Sequence, residues 1–239
     1  MKSYPRTEKY DEHWISENWM GPHPLILLEE LCGHMDLKPG MKVLDMGCGK
    51  GLSSVFLAKE FGVTVFANDL WIPATENLRR IEEAGVDDLV FPIHAEARAL
   101  PYAEEFFDAA ISIDSYHYYG TDETYFPGVY SKLVKPGGQF GIVVPGLTRE
   151  FESGYPETLK DYWLGELFTF HSKDWWRHLW EKTGIVDIRA CYDIDDPKAI
   201  WRPWAEWSKG RLGFDDDEFL DADTNDDVSL IALSAIKKA

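Results

Sequence analysis

Apolar and polar positions along the chain alternate between short strand-like runs and longer segments with helical spacing. Five short apolar runs predict strands, at 41–46, 63–68, 89–94, 108–114 and 139–144. Helical patterns separate them: 52–61 closes at Gly62, 72–84 closes at Gly85, and a third continues from the fourth strand to about Leu133. Strands that alternate with helices of this length need crossover connections, so we predict a parallel, doubly wound sheet.

The C-terminal part departs from this alternation. The runs 185–192 and 228–236 predict a sixth and a seventh strand, whereas 146–183 and 193–223 carry many aromatic residues and no strand pattern. We predict that these two segments form an aromatic lid over a ligand site. The candidates for lining that site are Trp19, Trp163, Trp175, Trp176, Trp201 and Trp204. Packing in the core is the alternative for each, and of the adjacent Trp175 and Trp176 at most one would face the ligand.

A glycine-rich segment, VLDMGCGKG at 43–51, ends the first strand and opens the first helix of the alternation. Glycine lets the backbone approach a ligand closely and leaves amides exposed at a helix start. The spacing is GxGxG, because Leu52 stands where a dinucleotide-binding turn has its last glycine, and no GK[ST] follows. Asp45 precedes the first glycine by two residues, where it would repel a pyrophosphate and attract an ammonium or a sulfonium group.

Acidic residues recur at the ends of the next three strands. Asp69 closes the second strand, Glu96 follows the third, and Asp114 closes the fourth. Open α/β sheets bind ligands at the carboxyl ends of their strands, and a carboxylate eighteen residues beyond Gly51 is placed to accept hydrogen bonds from ribose hydroxyls. The sequence therefore favours a phosphate-free nucleoside that carries positive charge.

Three segments together resemble class I S-adenosylmethionine-dependent methyltransferases. VLDMGCGKG resembles their first motif, HAEARALPYAEEFFDAAIS their stretch before the fourth strand, and LVKPGGQFGIVV their turn into the fifth. The match covers about residues 38–145 in the correct order. It is most similar to small-molecule enzymes of the ubiquinone-biosynthesis and cyclopropane-synthase-like groups. The resemblance implies a three-layer, Rossmann-like sheet of seven strands with the last antiparallel, and S-adenosylmethionine as cofactor.

The resemblance also implies roles for individual residues. Asp45 would hold the methionine amino group, directly or through water, and Asp69 would bind the ribose. Leu70 would pack against the adenine, Glu96 would face its amino group, and the Ala97 amide would face a ring nitrogen. Family members usually have Asp where this chain has Glu96. The remaining candidates at the cofactor site are Gly47, Cys48, Gly49, Gly51 and Asp114.

The candidate catalytic residues follow the fourth strand, in Ser112-Ile113-Asp114-Ser115-Tyr116-His117. In the resembled fold this loop faces the transferable methyl group. His117 is a candidate general base, since its ordinary pKa lies near neutrality, and Tyr116 is a candidate hydrogen-bond donor to the substrate. A structural histidine and a core tyrosine are the alternatives. Methyl transfer to an already nucleophilic acceptor needs orientation more than a base.

Composition narrows the class of protein. The 239 residues fit a single domain over 1–239, with cap helices in 1–35 and a cofactor-binding core at 38–145. A formal net charge of −18 disfavours nucleic acid and anionic membranes as partners. Three scattered cysteines predict no disulfide and no metal site, and the absence of an apolar leader predicts a cytoplasmic protein.

Two alternatives to a small-molecule methyltransferase stay open at this stage. The first is an NAD(P)-dependent oxidoreductase on the related fold, with Leu52 in place of a glycine. The second is a non-catalytic module that binds S-adenosylmethionine for a partner protein. The acceptor molecule, the acceptor atom (nitrogen, oxygen, sulfur or carbon) and the oligomeric state are not specified by the sequence.

Overall fold

The computed structural model describes residues 2–212 and 214–239, so the predicted ranges are compared without Met1 and Gly213. A seven-stranded sheet has the strand order β3-β2-β1-β4-β5-β7-β6. Neighbouring strands among β1–β5 are parallel, and β7 is antiparallel to both β5 and β6. The predicted doubly wound sheet with an antiparallel last strand is confirmed.

The strands begin and end close to the predicted positions, with one exception. Their bounds are β1 Lys42–Met46, β2 Thr64–Asp69, β3 Val90–His94, β4 Phe107–Ile113, β5 Val134–Leu147, β6 Val186–Asp193 and β7 Val228–Lys237. The fifth strand is longer than the predicted 139–144 because Val134 pairs with Phe107 of β4 at one end and β7 pairs with it as far as Leu147 at the other. Pairing with a distant segment therefore decides its length.

Helices cover both faces of the sheet. Their bounds are α1 Glu12–Asn18, α2 Pro24–Cys32, α3 Leu52–Phe61, α4 Ala74–Glu83, α5 His117–Gly120, α6 Ser131–Leu133, α7 Lys173–Glu181, α8 Pro197–Ser208 and α9 Asp216–Ala222. Successive strand residues point to opposite faces. Val43 accordingly packs into the core shared with α2, α3, α8 and α9, whereas Leu44 packs into the core shared with α5 and α7.

The helix predicted from the fourth strand to Leu133 is broken into pieces. Between α5 and α6 lies a π-helical turn, Phe126–Tyr130, that contains Pro127. Proline lacks the N–H that a continuous α-helix requires, and π turns mark such interruptions. The prediction of one helix was therefore wrong in this segment.

The two segments predicted as an aromatic lid pack mainly against the sheet. Trp176 and Trp180 of α7 are fully buried in one core, and Trp201 and Trp204 of α8 are buried in the other. These large rings fill the space that the sheet faces leave for helices. In the described residues, no helix is long and apolar enough to cross a membrane.

Asp11 caps α1, the helix that leads into the Trp19–Gly21 segment. Its carboxylate accepts a hydrogen bond from the Trp14 amide at 2.8 Å. We expect Asp11→Ala to lower the free energy of unfolding by about 1 kcal/mol, because a helix-start donor loses its partner. Asp11→Asn should retain most of the stability, since asparagine caps as well as aspartate. Equal urea midpoints for Asp11→Ala and the parent would contradict this role.

Candidate functional site

A cavity of about 320 Å³ opens at the carboxyl ends of β1–β4. It is lined by residues that directly follow these strands, together with the segment Asn18–Pro24 before α2. A cavity of this size lies at the small end of the range for ligand pockets in proteins. It has room for a small ligand, and its position is the one at which open α/β sheets bind nucleosides.

The glycine turn between β1 and α3 forms the floor of the cavity and is tied to β2. Gly47, Gly49 and Gly51 all have positive φ angles, which favour glycine over other residues. Asp69, at the end of β2, accepts a hydrogen bond from the Gly49 amide through Oδ2 at 2.8 Å. Its Oδ1 accepts hydrogen bonds from the amides of Trp71 and Ile72 at 2.7 and 2.9 Å. Asp69 therefore shapes the turn as well as lining the cavity.

Asp45 lies behind the cavity wall and is fully buried. Its Oδ2 accepts hydrogen bonds from the hydroxyls of Ser53 and Ser54, at 2.6 and 2.5 Å, while its Oδ1 has no partner among the described residues. Burial raises the pKa of Asp45 to about 6 against the lowering effect of the two serines. Ser53 lines the cavity, so it connects the Asp45 charge to the ligand space.

A second hydrogen-bonded group supports the glycine turn from the side of β4. The Ser115 hydroxyl donates to the Met46 carbonyl at 3.3 Å and is hydrogen-bonded to the Tyr119 hydroxyl at 2.8 Å. A Cβ atom at Gly47 would lie 1.8 Å from the Ser115 Oγ. Glycine is thus required at 47 by a close approach as well as by its φ angle.

The predicted adenine-side residues also line the cavity. Leu70 is half exposed, and Ala97 is a buried residue of the same lining. Glu96 accepts a hydrogen bond from the Arg98 amide at 2.7 Å and pairs with the Arg98 guanidinium at 3.3 Å. Cys48 lines the cavity too, and burial raises the pKa of its thiol well above the ordinary value.

Asp114 stands at the opposite end of the cavity and is held in the left-handed region, with φ 53°. Its amide donates to the Val143 carbonyl at 2.8 Å. A Cβ atom at Gly21 would lie 1.9 Å from the Asp114 Oδ2, and one at Gly49 would lie 3.1 Å from the Met20 Sδ. The Met20–Gly21 segment therefore packs across both the glycine turn and Asp114.

The structure does not bring the two predicted catalytic residues into the lining of this cavity. His117 is 2% exposed and packs against Phe170, and burial lowers its pKa to about 3. Tyr116 is fully buried among aromatic rings, including that of Trp180. Their roles in catalysis stay predictions.

Several lining residues were not singled out by the sequence. Trp71 and Tyr118 line the cavity with their rings in edge contact at 5.5 Å, and both are substantially exposed. Lys50 and Arg98 also line it, but Lys50 donates to the Glu17 carbonyl and Arg98 pairs with Glu96. Trp71 stands two residues after Asp69, and this position at the end of β2 could have identified it from the sequence as a residue of the site.

Comparison with known families bears directly on the segment that forms this cavity. Residues 43–138 match the family described as Methyltransferase domain. This segment is a methyltransferase domain. The resemblance to class I methyltransferases predicted from the three motifs is thereby confirmed. Methyltransferase GfsG of Streptomyces halstedii is 32% identical over 117 residues, which are 48% of this chain and 42% of that protein.

Solved structures share the fold of the methyltransferase domain and its surroundings. Geranyl diphosphate C-methyltransferase of Streptomyces coelicolor A3(2) superposes with a TM-score of 0.70 at 18% identity, covering 89% of this chain and 77% of that one. The [4+2]-cyclase SpnF superposes with a TM-score of 0.69 at 19% identity, covering 90% and 80%. The chain spans less than two thirds of the curated relatives that it matches, for example 27% of Sterol methyltransferase-like 1 of Botryococcus braunii.

Proposed function

We propose that this chain transfers a methyl group from S-adenosylmethionine to a small-molecule acceptor. The observation that carries the proposal is the cavity at the ends of β1–β4, with glycines on its floor and the carboxylates of Asp69, Glu96 and Asp114 in its walls. Such walls suit a ligand that carries an ammonium and a sulfonium group and no phosphate. The match of residues 43–138 to a methyltransferase domain supports the same reaction.

The buried charge of Asp45 fits the amino-acid end of the cofactor. Within the described part of the chain its Oδ1 has no partner, and a buried carboxylate oxygen without one is costly. We assign Asp45 to stabilise the methionine ammonium group through Ser53, whose hydroxyl donates to Oδ2 and which lines the cavity. The assignment needs no direct contact between Asp45 and the ligand.

Asp69 and the loops that follow β2 and β3 fit the nucleoside end of the cofactor. Each carboxylate oxygen can accept two hydrogen bonds, so the Asp69 Oδ2, which accepts one from Gly49, has room for a ribose hydroxyl. We assign the face of Leu70 and the amide of Ala97 to the adenine. In this assignment Glu96 gives up its contact with the Arg98 guanidinium and accepts a hydrogen bond from the adenine amino group instead. Both side chains are exposed enough to rotate.

The chemistry required of the chain is orientation and exclusion of water. The bound cofactor supplies an activated methyl group, and the residues of the β4 end, Asp114 and Tyr118, stand where an acceptor would approach it. His117 and Tyr116 do not line the cavity, and a catalytic role for either residue stays a prediction. His117→Asn should leave cofactor binding unchanged and lower turnover if that role is correct; unchanged turnover would exclude it.

The alternative of an NAD(P)-dependent oxidoreductase finds no support in the relatives, which are methyltransferases. A dinucleotide would also place a pyrophosphate over the turn that the Asp69 carboxylate holds. The alternative of a non-catalytic binding module differs from the proposal only in turnover. Turnover is therefore part of the test.

We expect S-adenosylmethionine to raise the melting temperature, because a ligand that binds only the folded chain stabilises it. At a concentration 100 times its Kd the stabilisation is about 2.7 kcal/mol. NADH at the same concentration serves as the matched control and should have no effect. Release of S-adenosylhomocysteine over a panel of small acceptors then tests transfer. A shift with NADH alone would overturn the proposal, and binding without release for any acceptor would favour the non-catalytic module.

A further inference from the structure

Asp114 is the carboxylate at the acceptor end of the cavity, and no lysine or arginine among the described residues forms an ion pair with it. Desolvation raises its pKa well above the ordinary value, and the two charges that act on it, Asp216 and Glu166, are both acidic. Asp216 belongs to α9, and Glu166 lies in the turn Gly165–Thr169 that packs against α5. Asp114 lines the cavity, whereas Asp216 and Glu166 lie outside its lining and add to the negative charge on that side.

The cations of the cavity wall do not relieve this charge. The Lys50 ammonium donates to the Glu17 carbonyl, and the Arg98 guanidinium pairs with Glu96 at the other end. Among the described residues, Asp216 is hydrogen-bonded by the indole of Trp201 at 3.0 Å rather than by a lysine or an arginine. Desolvation of a carboxylate that has no counter-charge is costly, and a bound cation would remove that cost.

Aromatic side chains line the same cavity. Trp71 and Tyr118 are in edge contact, and Trp19 lies in the wall at 7% exposure. The ring of Trp19 itself packs edge-on against Trp204 and Trp207. Aromatic faces beside a carboxylate are the environment in which proteins bind ammonium groups.

We propose that the methyl acceptor is an amine, bound as its ammonium form against Asp114 with Trp71 and Tyr118 as aromatic walls. This inference rests on the proposed methyl transfer and specifies its acceptor class. The ammonium group passes its proton to the Asp114 carboxylate and so exposes a nitrogen lone pair. That lone pair forms the new N–C bond as the C–S bond of the sulfonium breaks. The C–S electron pair stays on sulfur as a thioether, and the Asp114 proton leaves to solvent.

Binding of a non-reactive cation tests the site without turnover. Choline is the probe, and 3,3-dimethylbutan-1-ol is its uncharged counterpart of the same shape; both are titrated by calorimetry into the parent protein, with and without S-adenosylhomocysteine. We expect choline to bind at least about tenfold more tightly than the alcohol, as expected for a desolvated cation–π contact assisted by a carboxylate. Equal affinities, or no binding of choline, would overturn the inference.

Variants test whether choline binding depends on Asp114 itself or on the net negative charge of the protein. Asp114→Asn keeps the size of the side chain and, with S-adenosylhomocysteine at saturation, should lose about tenfold in choline affinity. Asp88→Asn, at an exposed acid of the same charge, should bind both ligands as the parent does. Gly21→Ala should also weaken choline binding, since its Cβ atom would displace the Asp114 Oδ2. Full choline affinity in Asp114→Asn would refute the assignment.

Turnover with an acceptor panel completes the test. Primary and secondary amines should release S-adenosylhomocysteine with the parent and not with Asp114→Asn, whereas phenols, thiols and carboxylic acids should release none. Transfer to phenols instead of amines would overturn the amine inference and leave the proposed methyl transfer intact. Failure of the parent to bind S-adenosylmethionine at all would instead overturn the proposed function, so the two failures are distinguishable.

Discussion

Asp69→Ala should abolish measurable binding of S-adenosylmethionine and destabilise the fold at the same time. Three backbone amides, those of Gly49, Trp71 and Ile72, would lose the carboxylate that they share. A hydrogen bond to a charged group contributes about 1.5–3 kcal/mol, so the loss of three should lower the free energy of unfolding by at least about 3 kcal/mol. Urea denaturation measures the stability, and calorimetric titration with S-adenosylhomocysteine measures the site.

The controls separate these two effects. Asp88→Ala removes an exposed acid of β3's leading loop and should change neither stability nor binding. Asp69→Asn should lie between Ala and the parent, because its amide oxygen still accepts from two amides while its NH₂ group faces a third donor. If Asp69→Ala unfolds within about 0.5 kcal/mol of the parent, the carboxylate does not hold the glycine turn.

Asp45→Asn should remove a pH dependence that the buried carboxylate imposes on folding. The pKa of Asp45 in the folded chain is raised to about 6, whereas its ordinary value is 3.8. Its contribution to stability is therefore fully present below pH 3.8 and is lost as pH rises through 6. The difference corresponds to about 3 kcal/mol, so Asp45→Asn should gain about that much relative to the parent between pH 4 and pH 8. Urea midpoints across this range measure it.

The same substitution should weaken the cofactor site at neutral pH. Above pH 6 the parent carries a negative charge at Asp45 that favours the methionine ammonium group, and the variant does not. Affinity of the parent for S-adenosylmethionine should rise from pH 5 to pH 7, and affinity of Asp45→Asn should not. Binding of 5′-methylthioadenosine, which lacks the amino-acid end, serves as the matched ligand control and should depend on neither. A constant stability difference between parent and variant from pH 4 to pH 8 would refute the raised pKa.

The central strands and helices could be predicted from the sequence because each of them depends on residues that are close together in the chain. The helix predicted at 52–61 is α3, Leu52–Phe61, since a glycine turn opens it and Gly62 closes it in the left-handed conformation. The parallel strands were recognisable because both of their faces are buried, which makes them continuous apolar runs. The end of β5 at Leu147 was not recognisable, because it depends on pairing with Val228 of β7, 81 residues later.

The candidate site was predicted at one end and not at the other. The glycine turn, Asp69 and the Leu70–Ala97 wall lie at the ends of consecutive parallel strands, so strand order alone brought them together. The tryptophans of the two aromatic segments did not identify the cavity wall, because tryptophan at helical spacing fills a core as readily as it lines a pocket. Of the six candidate tryptophans, only Trp19 lines the cavity in the described structure.

The sequence by itself determined the strand–helix alternation, the glycine turn and the acids that follow β1–β4, because each depends on residues close together in the chain. Only the tertiary structure decided what surrounds them. It placed Asp45 behind Ser53, buried His117 and Tyr116, and set Asp114 against Gly21. These outcomes depend on the packing of distant segments against one sheet edge. Contacts between distant segments leave no periodic pattern of residues in the sequence, so they could not be predicted from it.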